Sequence, residues 1–268
     1  MRKWTMIVAL VLGLLALAGW APGAQAAGMA YVRVVHASPD APAVDVWVDG
    51  CKALTNVAFF TASDYLPLPA GAHTFVVTPT GQGADKAVIQ ATATLEAGQA
   101  YTVAATGTLA HIQATILSDN LAAPAPGKAH VRVVHASPDA PAVDVKVADG
   151  PTLISGLAFP QASAYLPVAA GTYHLAVTPA GSATVALDLP GVSLQAGKIY
   201  DIFAVGLLNG TPALHVEVTT PAPMAAAGGM PTGMPATGAE TLPLTAAALA
   251  ALALLLAGSG LVLRRAAR

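Results

Sequence analysis

Apolar residues fall along this chain in three patterns. The first is a single block from about Met6 to Gly19, between a basic start, Met1-Arg2-Lys3, and Ala24-Gln25-Ala26. A basic region, a short apolar stretch and an A-x-A site predict an export signal over 1–26, cut between Ala26 and Ala27. The second pattern is a charge-free run over 242–263, followed by Arg264, Arg265 and Arg268. At 1.5 Å per residue it would reach roughly 33 Å as a helix, enough to cross a bilayer. The trailing arginines place the tail 264–268 on the cytoplasmic side.

The third pattern fills the middle. Short runs rich in Val, Tyr, Phe and Thr recur and are broken by Pro, Gly or Asp-Gly, which predicts strands. In the first half they fall at 31–36, 44–48, 53–60, 73–78, 87–95, 101–106 and 111–117, with turns at Asp49-Gly50 and Glu96-Ala97-Gly98. The many prolines oppose a helical reading, at about 3 kcal/mol each inside a helix.

The strand series occurs twice. Residues 32–46, Val-Arg-Val-Val-His-Ala-Ser-Pro-Asp-Ala-Pro-Ala-Val-Asp-Val, return unchanged as 131–145. The match continues through Ala58-Phe59 with Ala158-Phe159, Tyr65-Leu66-Pro67 with Tyr165-Leu166-Pro167, and Val77-Thr78-Pro79 with Val177-Thr178-Pro179. A repeat of this length is a duplicated domain. The expected fold is all-β: two tandem immunoglobulin-like β-sandwich domains, with a small Greek-key barrel as the alternative for each. The first sandwich takes 27–118, a Pro-containing linker 119–128 and the second sandwich 129–219. A Pro/Ala/Gly-rich stalk follows over 220–241.

The repeated motif, with Asp-Gly, Tyr-Leu and Ala-Gly after it, resembles the family catalogued as domain of unknown function 4397. The resemblance covers roughly 30–118 and 129–219. It implies bacterial envelope or extracellular proteins with sandwich-like domains, and no activity. At the stalk's end, Met234-Pro235-Ala236-Thr237-Gly238 precedes the apolar run and basic tail. This order is similar to a sortase sorting signal, with Met where the usual pentapeptide begins with Leu. The resemblance implies a cut between Thr237 and Gly238 and transfer to the cell wall.

Charge and chemistry narrow the partners. Residues 27–238 hold seven basic and thirteen acidic side chains, a net of −6, and no basic cluster suited to nucleic acid. Cys51 is the one cysteine, so an intrachain disulfide and a Cys-based metal cluster are excluded. No nucleophile elbow, phosphate loop or His-Glu-x-x-His occurs. The residues with most chemistry are His36, Asp40 and Asp45, repeated as His135, Asp139 and Asp144. Their spacing matches no metal signature. Ser and Asp in a turn-rich crossover hold backbone N–H groups, and His36 is expected to pair with Asp40 or Asp45. Arg33 and Arg132 alternate with valines and are expected to face outward or pair with an Asp. Trp47, replaced by Lys146 in the second copy, is expected to be exposed. Tyr65 and Tyr165 are expected in the core.

The sequence therefore reads as a non-enzymatic surface protein for adhesion or envelope structure, without cofactor. Its C-terminal helix sits in the membrane, and a sortase would attach it to the wall. The alternative is a carbohydrate- or ion-binding module using the His/Asp motif or Trp47. A hydrolase with an unrecognised site is a third class. An extracellular protein or glycan is the expected ligand type.

Overall fold

The computed structural model describes residues 28–224. The export signal, the sorting pentapeptide, the 242–263 run and the basic tail lie outside them. Among the described residues no helix is long and apolar enough to cross a membrane.

The first copy contains β1 (Met29–His36), β2 (Val44–Val48), β3 (Cys51–Val57), β4 (Leu66–Pro69), β5 (Gly71–Pro79), β6 (Ile89–Leu95), β7 (Ala100–Thr106) and β8 (Gln113–Asp119). The second repeats the series as β9 (Lys128–His135), β10 (Val143–Val147), β11 (Thr152–Leu157), β12 (Leu166–Ala169), β13 (Gly171–Pro179), β14 (Leu187–Leu194), β15 (Ile199–Val205) and β16 (His215–Thr219). Each copy is a pair of four-stranded sheets. These run β4-β1-β7-β8 over β3-β2-β5-β6, and β12-β9-β15-β16 over β11-β10-β13-β14.

This is all-β sandwich architecture, with two departures from the expectation. The Leu-Pro-Leu-Pro strand β4 and its equivalent β12 add an eighth strand to each copy. Proline confines them to sheet edges. And β1 pairs with β7, as β9 does with β15, in parallel, whereas both immunoglobulin sheets are antiparallel. Strand boundaries also place Asp119 in β8 and Lys128 in β9, so the linker is 120–127.

Alternation along β1 explains the layering. Val32 and Val34 point into the first sandwich, with Val46, Phe75, Val77 and Val103. Val133, Val145 and Tyr200 do the same in the second. The opposite face of β1 carries Val35, which packs with Ala37 and Ala104 against Val134, Ala136, Phe203 and Val205 of the second copy. The two copies therefore share a third apolar layer, sheet on sheet. A smaller cluster of Ala100, Leu121 and Ile199 closes the other end of that contact.

These two clusters fix the relative direction of the copies. Residues at the ends of β1 and β9 meet in the larger cluster, and residues at the starts of β7 and β15 meet in the smaller. Equivalent strands thus run the same way. Each copy has its 37–43 and 107–112 loops, or their equivalents, at one end, here the tip. Gly28, the linker and the segment after β16 lie at the other end, the base. There Met224 donates its N–H to the Leu121 carbonyl at 2.8 Å and Ala122 bridges Met224. Residues 220–224, assigned to the stalk from sequence, are thus docked on the linker.

Candidate functional site

The repeated motif lies at the tip. His36 is fully buried. Its Nε2–H donates to the Pro42 carbonyl at 3.0 Å, and Nδ1 accepts the Ser38 N–H at 3.3 Å. This pairing corrects the expected contact with Asp40 or Asp45: the ring clamps its own Ser-Pro-Asp-Ala-Pro loop. His135 repeats the bond to Pro141 at 3.0 Å, with Nδ1 buried and unpartnered. Burial pushes the pKa of both rings down.

The carboxylates are engaged elsewhere. Asp40 accepts the Leu109 N–H at 2.7 Å, and Asp139 accepts those of Leu208 at 2.7 Å and Asn209 at 3.0 Å. Each ties the motif loop to the loop that ends the β7 or β15 strand. Asp45 accepts the Asn56 N–H at 2.9 Å, the Gly81 N–H at 3.1 Å and Lys52 Nζ at 2.7 Å. Lys52 first, then the two amides, draw its pKa down to about 2. Asp144 does the same with Gly156 at 2.8 Å and Gly181 at 3.0 Å, and its pKa is lowered by those amides. Asn56 and Gly156 sit at φ 53° and 62°, a left-handed bulge position that Asn and Gly tolerate best. The motif carboxylates thus point at separate loop amides. Among the described residues no three His, Cys, Asp or Glu side chains gather as a metal-ligand group. The cavity beside His36, lined by Val34, Val44 and Val77, measures about 10 Å³, room for one water at most.

Trp47 is half-buried rather than fully exposed. Its indole N–H donates to Thr78 Oγ1 at 3.2 Å, and Lys52 Nζ lies 4.7 Å from the ring centroid. The cation covers part of the aromatic face. Cys51, next to it on β3, is exposed and free.

The most heavily connected polar cluster was not singled out as a site by sequence. Arg33 and Arg132 are 3% and 2% exposed, so neither faces solvent. They meet between the copies. Arg33 donates to Asp201, to Thr102 Oγ1 at 2.8 Å and to Thr219 Oγ1 at 3.0 Å. Arg132 donates to Asp201 at 2.8 Å, Asp119 at 2.7 Å and the Ser118 carbonyl at 3.1 Å. Tyr65 closes the ring from its hydroxyl to Asp119 at 2.6 Å. The guanidinium carbons stand 5.3 Å from the Tyr65 ring and 4.6 Å from the Tyr165 ring. Both tyrosines therefore belong to the contact between copies, not to either core. Their phenol pKa values are raised, by burial first. The copies divide the acids differently: Thr102 and Asp119 on β7 and β8, Asp201 and Thr219 on β15 and β16. Two cations and two anions, each hydrogen-bonded, satisfy the condition for burying charge.

A family model described as "Domain of unknown function (DUF4397)" matches residues 30–146 and 146–228. No curated protein matches the chain. Among solved structures, the C-terminal domain of AlgF from P. aeruginosa is 24% identical, with 35% of this chain and 98% of that chain covered and a TM-score of 0.27. A family CBM26 module of Eubacterium rectale Amy13K, solved with maltoheptaose, is 10% identical, covering 72% and 98%, at a TM-score of 0.24. A putative cell adhesion protein of Bacteroides fragilis is 10% identical, covering 71% and 96%, at 0.16.

Proposed function

Because the chain belongs to the DUF4397 family and carries its domain twice, we propose that it is an exported, non-enzymatic surface protein. In this reading it holds a locked pair of β-sandwiches off the membrane for adhesion or envelope structure. The observation that carries this reading is polarity. Gly28, the linker and Met224 all lie at the base, and the two copies of the repeated motif lie at the tip. The chain's apolar C-terminal run would therefore anchor the base, through the remaining stalk, and leave the tip outermost. The motif's histidines clamp their own loops and its carboxylates hold backbone N–H groups of neighbouring loops, which supports a scaffold role over a catalytic one.

Fractionation tests the anchor. Detergent should release the protein if the 242–263 run holds it, and a muramidase if Thr237 is joined to wall. In the second case Thr237→Ala should move the protein to the membrane fraction. Release into the soluble fraction without either treatment would overturn anchored display.

Trp47 supports a second reading, glycan binding on the outer face of β2, since a half-buried aromatic beside the Lys52 amine can stack on and hydrogen-bond a sugar. A glycan array should then show binding that Trp47→Ala reduces at least tenfold. Equal binding by both proteins would remove Trp47 from consideration.

A further inference from the structure

A sheet edge offers a row of unpaired N–H and C=O groups, and proteins blunt such edges with proline, charge or bulges. Nearly every edge strand here is treated in one of these ways. β4 carries Pro67 and Pro69, β12 carries Pro167, and β16 carries Glu217. β3 and β11 are irregular in register, and β3 adds Lys52. β8 has an unbroken register and no proline, but it ends on Asp119, and that end is engaged by the second copy, where Arg132 takes the Ser118 carbonyl and Asp119. β14 has a register shift, Pro190 and Asp188.

β6 is the least protected of them. Its sequence, Ile-Gln-Ala-Thr-Ala-Thr-Leu, holds no charge and no proline. It pairs with β5 in unbroken register from Ile89↔Val77 to Leu95↔Gly71, and no strand is hydrogen-bonded to its other edge, although β8 of the facing sheet comes near it. The equivalent strand in the same chain, β14, is fully blunted. The difference between duplicated domains marks β6 as an edge left open.

We propose that β6 pairs edge to edge and antiparallel with β6 of a second copy of this chain. Charge at the strand ends selects the occupant and the direction. Lys86 stands just before β6 and Glu96 just after it, both exposed. A parallel, in-register pair would set Glu96 against Glu96. An antiparallel pair about Thr92 brings the Lys86 end of each chain to the Glu96 end of the other. Asp85, 3.4 Å from Lys86, shares that lysine. At the centre Thr92 would face Thr92, and Gln90 would face Thr94: uncharged pairs, with the β-branched threonines suited to cross-strand contact. The contact is isologous, so it closes as a dimer, and it joins two four-stranded sheets into one.

The biological direction rests on the anchored display proposed above. β6 runs from tip to base, so an antiparallel partner is inverted, with its base pointing the opposite way. Two such chains belong to facing surfaces. The protein would bind its own kind across a cell–cell gap, which names the partner for adhesion.

The test uses the full chain in detergent, with Cys51→Ser to remove the native thiol. Gln90→Cys and Thr94→Cys proteins are oxidised singly and as an equal mixture. The expected result is a disulfide dimer mainly between Gln90→Cys and Thr94→Cys chains, at least fivefold over either alone. Same-site dimers alone would mean parallel pairing and would overturn the proposal, as would no cross-link in any arm. Thr92→Lys, placed on an exposed side chain, should weaken dimerisation at least tenfold with circular dichroism and Tm unchanged. Mixing it with Thr92→Glu should restore pairing. Dimerisation of Thr92→Lys at wild-type strength would also overturn it. If the purified chain pairs antiparallel but cells displaying it do not clump, the display reading fails and the strand pairing stands.

Discussion

Replacing Asp201 with asparagine should separate the two domains' fates and cost about 3–5 kcal/mol, the range for removing one partner from a buried ion pair. Asp201 accepts from both Arg33 and Arg132. Asparagine keeps the shape but not the charge, leaving two buried guanidiniums to share Asp119. Denaturation of the variant should then show two transitions where wild type shows one. Proteolytic cutting in the linker gives a sharper measurement. Wild-type halves cut within 120–127 should stay together on a sizing column, because the apolar layer of Val35, Val134 and Phe203 and the paired charges around Asp201 both hold them. Cut Asp201→Asn halves should elute apart. Separation of the wild-type halves would mean that this contact does not hold the domains. Replacing all four charges with apolar residues of similar volume should restore the single transition, since no unpaired charge is then buried.

Those arginines show how far sequence could be followed. Alternation correctly put Arg33 on the face of β1 opposite Val32 and Val34. What one copy cannot reveal is what covers that face. A signal was present: Val35 and Ala37 share the face with Arg33, so β1 is apolar on both sides, as strands buried on both faces are. Asp119 and Asp201 were legible only as acids near or within strands, because nothing local ties either to an arginine of the other copy. The repeat, the sandwich layers and most strands followed from period and turn residues. β4 and β12 escaped because their prolines argue against a strand anywhere but at an edge. The motif's scaffold chemistry was legible in kind, since Asp40 and Asp45 do hold backbone N–H groups. Its partners were not, because Leu109 and Gly81 are brought near only by the packed loops at the tip.

Acidification should expose the role of the two motif histidines. Each is buried as a neutral ring with Nε2–H given to a proline carbonyl. A proton added at Nδ1 would face the Ser38 N–H in the first copy and would find no acceptor in the second. Burial therefore lowers both pKa values in the folded chain, while the unfolded chain titrates near 6.5. Below that pH the unfolded state binds protons that the folded state refuses, so stability falls as pH falls, by at most about 1.4 kcal/mol per pH unit per histidine. His73 acts in the opposite sense. Burial there disfavours charge, but the Pro69 carbonyl and Asp49 outweigh it and raise the pKa. Its contribution is full below 6.5 and is lost as pH rises through the raised value. The carboxylates with lowered pKa values, Asp45, Asp139 and Asp144 among them, lose their contribution only in stronger acid. Urea denaturation from pH 7.5 to 5.5 should thus show wild type weakening. His36→Ala with His135→Ala should start about 1–3 kcal/mol less stable per site, from the loss of each clamp, yet lose the acid sensitivity and show the weak reverse slope of His73. If the double variant keeps the wild-type slope, the proton that matters binds elsewhere and the clamps are not the acid-sensitive element.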